Sequence, residues 1–348
     1  MSGPGAGGVL ERVDAPISEK EAADVAHRRF GVPAVATRLP GERDQNFRLD
    51  ATYGSCFVLK FSHSSENPAV IEFETAMLQH IARNDPALPV PRVVTSNEGK
   101  LITRLRCDAG HEHSVRLFTH LGGEPMSARP RQPAAFHAIG RMLARLHAAL
   151  GGFTHAADSR RLQWDLQRSA ELRPHLAAVR EPELRHLASA ALDAFEAHAL
   201  PRLPSLPGQV IHNDLNPSNI LFEVTDPYTP CGLLDFGDAL RAPRIQDLAV
   251  AASYAFSPGA EKAELDAAAH ARALVAGYQT QQALHPEEIA TLPVLVRARL
   301  AMTTIITAWR ANLHPANAGY ILRNAPAAHA GLRALHSCPG LMQFEPTP

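Results

Sequence analysis

The chain has 348 residues, 34 Lys+Arg against 35 Asp+Glu, a formal net charge of -1 and 45% hydrophobic residues. That balance removes the electrostatic case for nucleic acid or an anionic membrane as the main partner. The apolar fraction excludes intrinsic disorder as the main state, and the length fits two units or one large two-lobed fold.

Cys56, Cys107, Cys231 and Cys338 show no CxxC pairing or regular spacing, which argues against a disulfide framework and points to a reducing cytoplasm. Met1 to Gly8 is Gly-rich and lacks the basic start and apolar stretch of a secretory signal, so residues 1–13 are expected to form a flexible tail. The longest apolar segment near the C-terminus, Leu300 to Trp309, falls short of the ~20 residues that cross a bilayer. Arg297, Arg299 and Arg310 flank or interrupt it, so no membrane span is expected.

In chain order, Ser18 with Glu21 is a capping-box pattern, and Ala22, Val25, Ala26 and Phe30 recur at helical spacing until Gly31. This predicts a helix over about 18–30. From Thr37 to Phe61 short alternating runs, Phe47 to Leu49 and Cys56 to Phe61, predict strands separated by a turn at Tyr53-Gly54-Ser55. Pro68 opens a helix through Ile71, Met77, Leu78 and Ile81. Strands are expected after Pro91, at Arg92 to Val94 and Leu101 to Arg104, and Val115 to Phe118 leads out of the sheet. Beyond Gly122-Gly123 the pattern becomes helical, with Phe136, Ile139, Leu143, Leu146 and Leu150 on one face ended by Gly151-Gly152. The exception is a small β island between Gln209 and Phe236, with runs Val210-Ile211, Ile220 to Phe222 and Gly232 to Phe236.

That island carries the chemistry. His212, Asp214 and Asn219 stand in the spacing HxDxxxxN, a carboxylate and a carboxamide on one loop between two short strands. Phosphoryl transfer to an alcohol needs such a pair: Asp214 to accept or orient the hydroxyl proton, and Asn219 to give a neutral oxygen to a nucleotide-bound metal. A hairpin-like stretch then returns Asp235, in Asp235-Phe-Gly237, beside Asn219, where its carboxylate could bridge Mg2+ held on the phosphates. Upstream, Lys60 ends an apolar strand as a point charge for phosphates, and the next helix offers Glu72 and Glu74 as its ion-pair partner. The turn Gly41 to Phe47, with Asp44, Gln45 and Asn46, would lie over the nucleotide.

Together these stretches resemble the aminoglycoside phosphotransferase and choline kinase superfamily of small-molecule kinases. Gly41 to Phe47, Asn67 to Glu72, Val115 to Leu121, His212 to Asn219 and Leu234 to Asp238 are most similar to the hydroxylysine kinase group. The resemblance implies an α+β, bilobal, protein-kinase-like fold: a nucleotide-binding sheet lobe at 14–121, and a mainly helical lobe at 122–348 bearing the catalytic and metal loops. It implies that Lys60 grips phosphates, Asp214 is the base, and Asn219 and Asp235 hold magnesium. Backbone groups at Leu117, Phe118 and Thr119 would form the hinge that reads the nucleotide base, and Asp247 would buttress the catalytic loop. Asn213 departs from the pattern, standing where a glycine is common, and both Glu72 and Glu74 remain candidates.

Plainer readings stand beside these. Asn, Asp, Pro and Ser dominate turns anyway, yet the company of Lys60 and Asp235 outweighs a purely loop-capping role for Asp214 and Asn219. His212 is read as a structural brace rather than a proton carrier. Cys107, His111 and His113 are taken as a product of the 18 histidines, since zinc needs a fourth ligand. For Trp309, core packing is preferred to acceptor binding; Asp238, and less so Tyr254, are the candidates for a cationic acceptor. The expected activity is ATP- or GTP-dependent phosphorylation of a hydroxylated amine, 5-hydroxy-L-lysine first. The alternatives are an aminoglycoside, homoserine or choline-type acceptor, or a nucleotide-binding pseudokinase.

Overall fold

In the computed structural model, residues 14–41, 44–106, 112–256 and 263–344 are described. The expected flexible tail and the Cys107 and His111 positions lie outside them. The chain divides into two compact units, Met1–Gly122 with His155–Ala157, and Gly123–Thr154 with Asp158–Pro348.

The first unit opens with α1 (Glu19–Phe30). Ser18 and Glu21 exchange both capping hydrogen bonds, and Gly31, at φ 67°, ends the helix in the left-handed region. Strands β1 (Ala34–Leu39), β2 (Gln45–Ala51) and β3 (Cys56–Phe61) form an antiparallel meander. After α2 (Pro68–Asn84) come β4 (Val93–Val94), β5 (Thr103–Arg106) and β6 (Glu112–Thr119), and β6 pairs β3, β4 and β5. Period-two alternation sorts the sheet's faces. Phe47, Leu49, Leu59, Phe61, Val115 and Leu117 join Ala22, Val25, Ala26 and Phe30 of α1 in one buried cluster. The intervening residues Lys60 and Arg116 are cross-strand partners, and Arg116 reaches Glu74 of α2.

The second unit holds β7 (Glu124–Pro125), α3 (Pro133–Ala149), α4 (Pro182–Ala194), β8 (Gly208–Ile211), β9 (Ile220–Phe222), β10 (Pro230–Leu233), β11 (Leu240–Pro243), α5 (Ile245–Ser253), α6 (Ala263–Gln279), α7 (Pro286–Leu313), α8 (Ala318–Ile321) and α9 (Ala325–Ser337). The anticipated single β island is two small sheets. β9 lies between β10 and β7, while β8 pairs β11. The split follows from the loop after β8, which carries the chain away from β8 before β9 begins.

α7 corrects the sequence reading of the C-terminal apolar segment. It is long and apolar enough to cross a bilayer, but 78% of its most apolar window is buried inside the chain, as befits the core helix of a folded unit. α3 and α6 cross at glycine. A Cβ on Gly140 would meet the Leu274 carbonyl oxygen at 2.0 Å, and one on Gly277 the His137 carbonyl oxygen at 2.0 Å.

Candidate active site

In the first unit, Lys60 Nζ lies 2.8 Å from Asp44 Oδ2. Asp44 Oδ1 accepts the His63 N–H at 2.9 Å. Burial would raise the Asp44 carboxyl, but the charge of Lys60, these hydrogen bonds and Arg116 outweigh it and hold the group below the ordinary carboxylate value. A Cβ on Gly41 would lie 2.4 Å from the Asp44 carbonyl oxygen.

Gln45 and Asn46 differ from the loop reading. Both belong to β2, and Gln45 accepts from Ile17 N–H at 2.8 Å and donates to the Ala15 carbonyl at 3.0 Å, so its amide fastens the segment before α1. Of the two candidate acids, Glu72 is exposed, whereas Glu74 is 2.9 Å from the buried Arg116 guanidinium. Arg116 was not among the candidates read from the sequence; its place opposite Lys60 emerges only from the β3–β6 register.

The residues expected to form the hinge lie within the sheet. Leu117 and Phe118 pair with β3 on one side and β4 on the other, so their backbone groups serve the sheet. Thr119 N–H goes to the Arg92 carbonyl at 2.9 Å and His120 N–H to the Cys56 carbonyl at 3.1 Å. The chain leaves the sheet only at His120 to Gly122.

In the second unit, the loop of residues 212–219 is held from below by Asp247 of α5, which is fully buried. Its carboxylate accepts the N–H of His212 at 2.9 Å, the N–H of Asn213 at 2.6 Å, and a hydrogen bond from His147 Nε2 of α3 at 3.0 Å. His212 Nδ1 accepts the Asp214 N–H at 3.2 Å, so Nε2 carries the proton and donates to the Leu234 carbonyl at 2.9 Å. The imidazole spans the loop and the strand after it. Asn213 takes φ 68°, a conformation that Asn tolerates better than most side chains, which explains its presence at a glycine-like position.

Above this support, Asp214 is 22% exposed. Its Oδ2 accepts from the amides of Asn216 at 2.8 Å and Asn219 at 2.9 Å, and Asn219 also donates to the Asp214 carbonyl at 2.9 Å. The β9–β10 pairing and Leu234 N–H to Asn219 carbonyl, 2.8 Å, bring the following segment alongside. Asp235 follows directly, exposed, at φ 58° and with Oδ1 accepting the Gly237 N–H at 3.2 Å. Burial raises the Asp214 carboxyl; Arg299 opposes that and Asp235 adds to it. Asp238 is raised to about 7 by burial and by the charges of Asp214 and Asp235, against the pull of Arg160 and Arg299. Arg160 itself is fixed by the Ala239 carbonyl at 3.0 Å and by the Gly237 carbonyl.

Tyr254 joins this group. Burial raises its phenol, and it feels both Arg299 and Asp214. Its ring lines a small apolar cavity with Met126, Phe136, Leu215 and Pro217. Trp309 does not join: its ring packs on His175, centroids 4.2 Å apart, ten residues beyond Arg299 on α7. That is about 15 Å along the helix. The α7 residue that does reach the acidic group is Arg299, whose Nη2 is 3.7 Å from Asp214 Oδ1. The interruption of an apolar helix by a charge was its signal, because a buried charge requires a partner.

A sheet-based unit, a helical unit and a carboxylate loop braced from a core helix define a kinase-like phosphotransferase. The chain belongs to the APH phosphotransferase enzyme family, whose model matches residues 35–284, and is a small-molecule kinase with a hydroxyl acceptor. A hydroxylysine kinase of Xenopus laevis is 27% identical over 92% of this chain and 90% of its own length. A homoserine kinase of Azorhizobium caulinodans is 31% identical over 76% of this chain and 78% of its own. Among solved structures, a microcompartment-associated aminopropanol kinase shares the fold, with TM-score 0.69, 22% identity and coverage of 92% of this chain and 98% of that one.

Proposed function

We propose that this chain transfers the γ-phosphate of ATP or GTP to the hydroxyl of a small amino compound, with 5-hydroxy-L-lysine the first acceptor and homoserine the second. The observation that carries this reading is the restraint on Asp214, whose Oδ2 is fixed by two carboxamides while Oδ1 stays on the side of Arg299. A carboxylate so held can accept a hydroxyl proton as the oxygen attacks phosphorus. The long alignment with a hydroxylysine kinase favours that acceptor, and the homoserine kinase relative favours the second. An aminoglycoside or choline-type acceptor also fits the family. A pseudokinase has no physical need for Lys60, Asp214, Asn219 and Asp235 together.

Lys60 would supply the cation that neutralises the nucleotide phosphates, exchanging Asp44 for phosphate oxygens. The residues present also fit a magnesium ion. Asn219 spends its Nδ2 on Asp214, which turns its carbonyl oxygen the other way, and Asp235 is exposed on the adjoining turn. Magnesium completes its shell with phosphate oxygens and water, so two protein oxygens suffice. When bound, the ion would neutralise charge on the transferring phosphate. Backbone groups from Thr119 to Gly122 would read the nucleotide base. The unbridged thiols of Cys56 and Cys338 suit a reducing cytoplasm.

The test is release of ADP or GDP with MgATP and MgGTP across 5-hydroxylysine, homoserine, choline and kanamycin. Release is expected with 5-hydroxylysine or homoserine. Asp214→Asn is expected to lower kcat by about 100- to 10,000-fold while nucleotide binding is retained. Near-wild-type turnover in that variant, or nucleotide binding without any acceptor-dependent release, would overturn the reading.

A further inference from the structure

We infer that Arg299 receives the carboxylate of the acceptor, making the enzyme selective for hydroxylated α-amino acids over the matching amino alcohols; this rests on the kinase reading above. The side chain of Arg299 is 2% exposed, on a core helix. One face of its guanidinium lies over the Trp164 ring, 4.8 Å from the centroid, and Nη1 donates to the Trp164 carbonyl at 3.1 Å. Nε is buried with no hydrogen-bond partner. Nη2 faces Asp214 Oδ1 at 3.7 Å, longer than a hydrogen bond. Nε and Nη2 form the edge of the fork that binds a carboxylate through two parallel hydrogen bonds. The Tyr254 hydroxyl also hydrogen-bonds this side chain, so the group left over is Nε, buried without a partner beside an Nη2 that stops short of a hydrogen bond to Asp214; a buried donor in that position suits an anion from outside.

The dimensions allow it. From the hydroxyl to the carboxylate of such an amino acid is about 5 to 6 Å, at ~1.5 Å per bond along a bent chain. Asp214 Oδ1 is 3.7 Å from Nη2, and with a hydrogen bond of about 2.9 Å at either end the path from hydroxyl to carboxylate spans that distance when it is folded rather than straight. Electrostatics require a cation here: Asp214, Asp235 and Asp238 all repel an incoming carboxylate, and Arg160 is already committed to Gly237 and Ala239. Asp238 would in turn suit the acceptor's ammonium group.

The experiment compares each amino acid with its decarboxylated counterpart, 5-hydroxylysine with 1,5-diaminopentan-2-ol and homoserine with 3-aminopropan-1-ol. The wild type should favour the carboxylated member in kcat/KM. Arg299→Met should shrink that ratio by about 10- to 100-fold, whatever happens to the separate rates, and Arg299→Lys should restore part of it. Equal losses on both members, or no preference in the wild type, would overturn the inference and reduce Arg299 to a residue that positions Asp214. If the wild type turns over neither member, calorimetric Kd values decide. A carboxylate preference lost in Arg299→Met still supports Arg299 while counting against the kinase reading, and binding of neither compound overturns the inference.

Discussion

Asp238 feels two guanidinium groups, Arg160 and Arg299, yet its pKa is pushed up to about 7 by burial and by the charges of Asp214 and Asp235. The unfolded chain returns it to an ordinary value near 4. The folded state therefore holds the proton more tightly, so this group's contribution to stability is full below about pH 4 and is lost as pH rises through 7. Replacing Asp238 with Asn removes the penalty. In magnesium-free buffer, the Tm of Asp238→Asn is expected to exceed that of the wild type by more at pH 8 than at pH 5. Scanning calorimetry at the two pH values checks it, and an equal gap at both would show that Asp238 does not carry the charge strain.

At the scale of elements, the α3–α6 crossing sets how α3 delivers His147 to Asp247 and hence to the 212–219 loop. His147 Nδ1 also lies 2.9 Å from the Tyr278 hydroxyl of α6, so the two helices share the brace. Gly140→Ala would drive a methyl into the Leu274 carbonyl, and is expected to destabilise the chain by about 1–3 kcal/mol, read from urea unfolding. An unchanged midpoint would mean that the helices separate without cost.

What was legible in the sequence follows the same division. The Ser18–Glu21 cap, the helical face of Phe136 to Leu150 and the alternation of Cys56 to Phe61 are local signals, and the elements lie where they indicate. The return of Asp235 toward Asn219 was readable because a hairpin is itself short-range. β7 and β11 were not: two to four residues carry too little periodicity, and their pairing comes from strands far along the chain. Asp44 opposite Lys60, Arg116 beside Glu74 and Arg299 beside Asp214 depend on tertiary placement, which no residue spacing encodes.

For the molecule as a whole, α7 shows that apolar length alone does not define a membrane anchor. Its neighbours α4, α5 and α9 cover it, and its buried residues run from Glu288 to Thr307. In a Triton X-114 phase separation the purified chain is expected in the aqueous phase. Recovery in the detergent phase would mean that α7 is exposed in solution.

Of the non-glycine residues of positive φ among those described, Asn213 precedes Asp214 and Asp235 is itself one of the acidic group. Each such turn costs roughly 1–2 kcal/mol for an ordinary L-residue, less for Asn and Asp. That cost is met once, when the chain folds, rather than in every turnover. The sharp bends are already set when an acceptor arrives, so the readiness of the loop is borrowed from the cohesion of the helical core around Asp247. Loosening that core even slightly would blunt the loop while most of the helix remained intact, and turnover would then register a weakening of the fold earlier than helix content does.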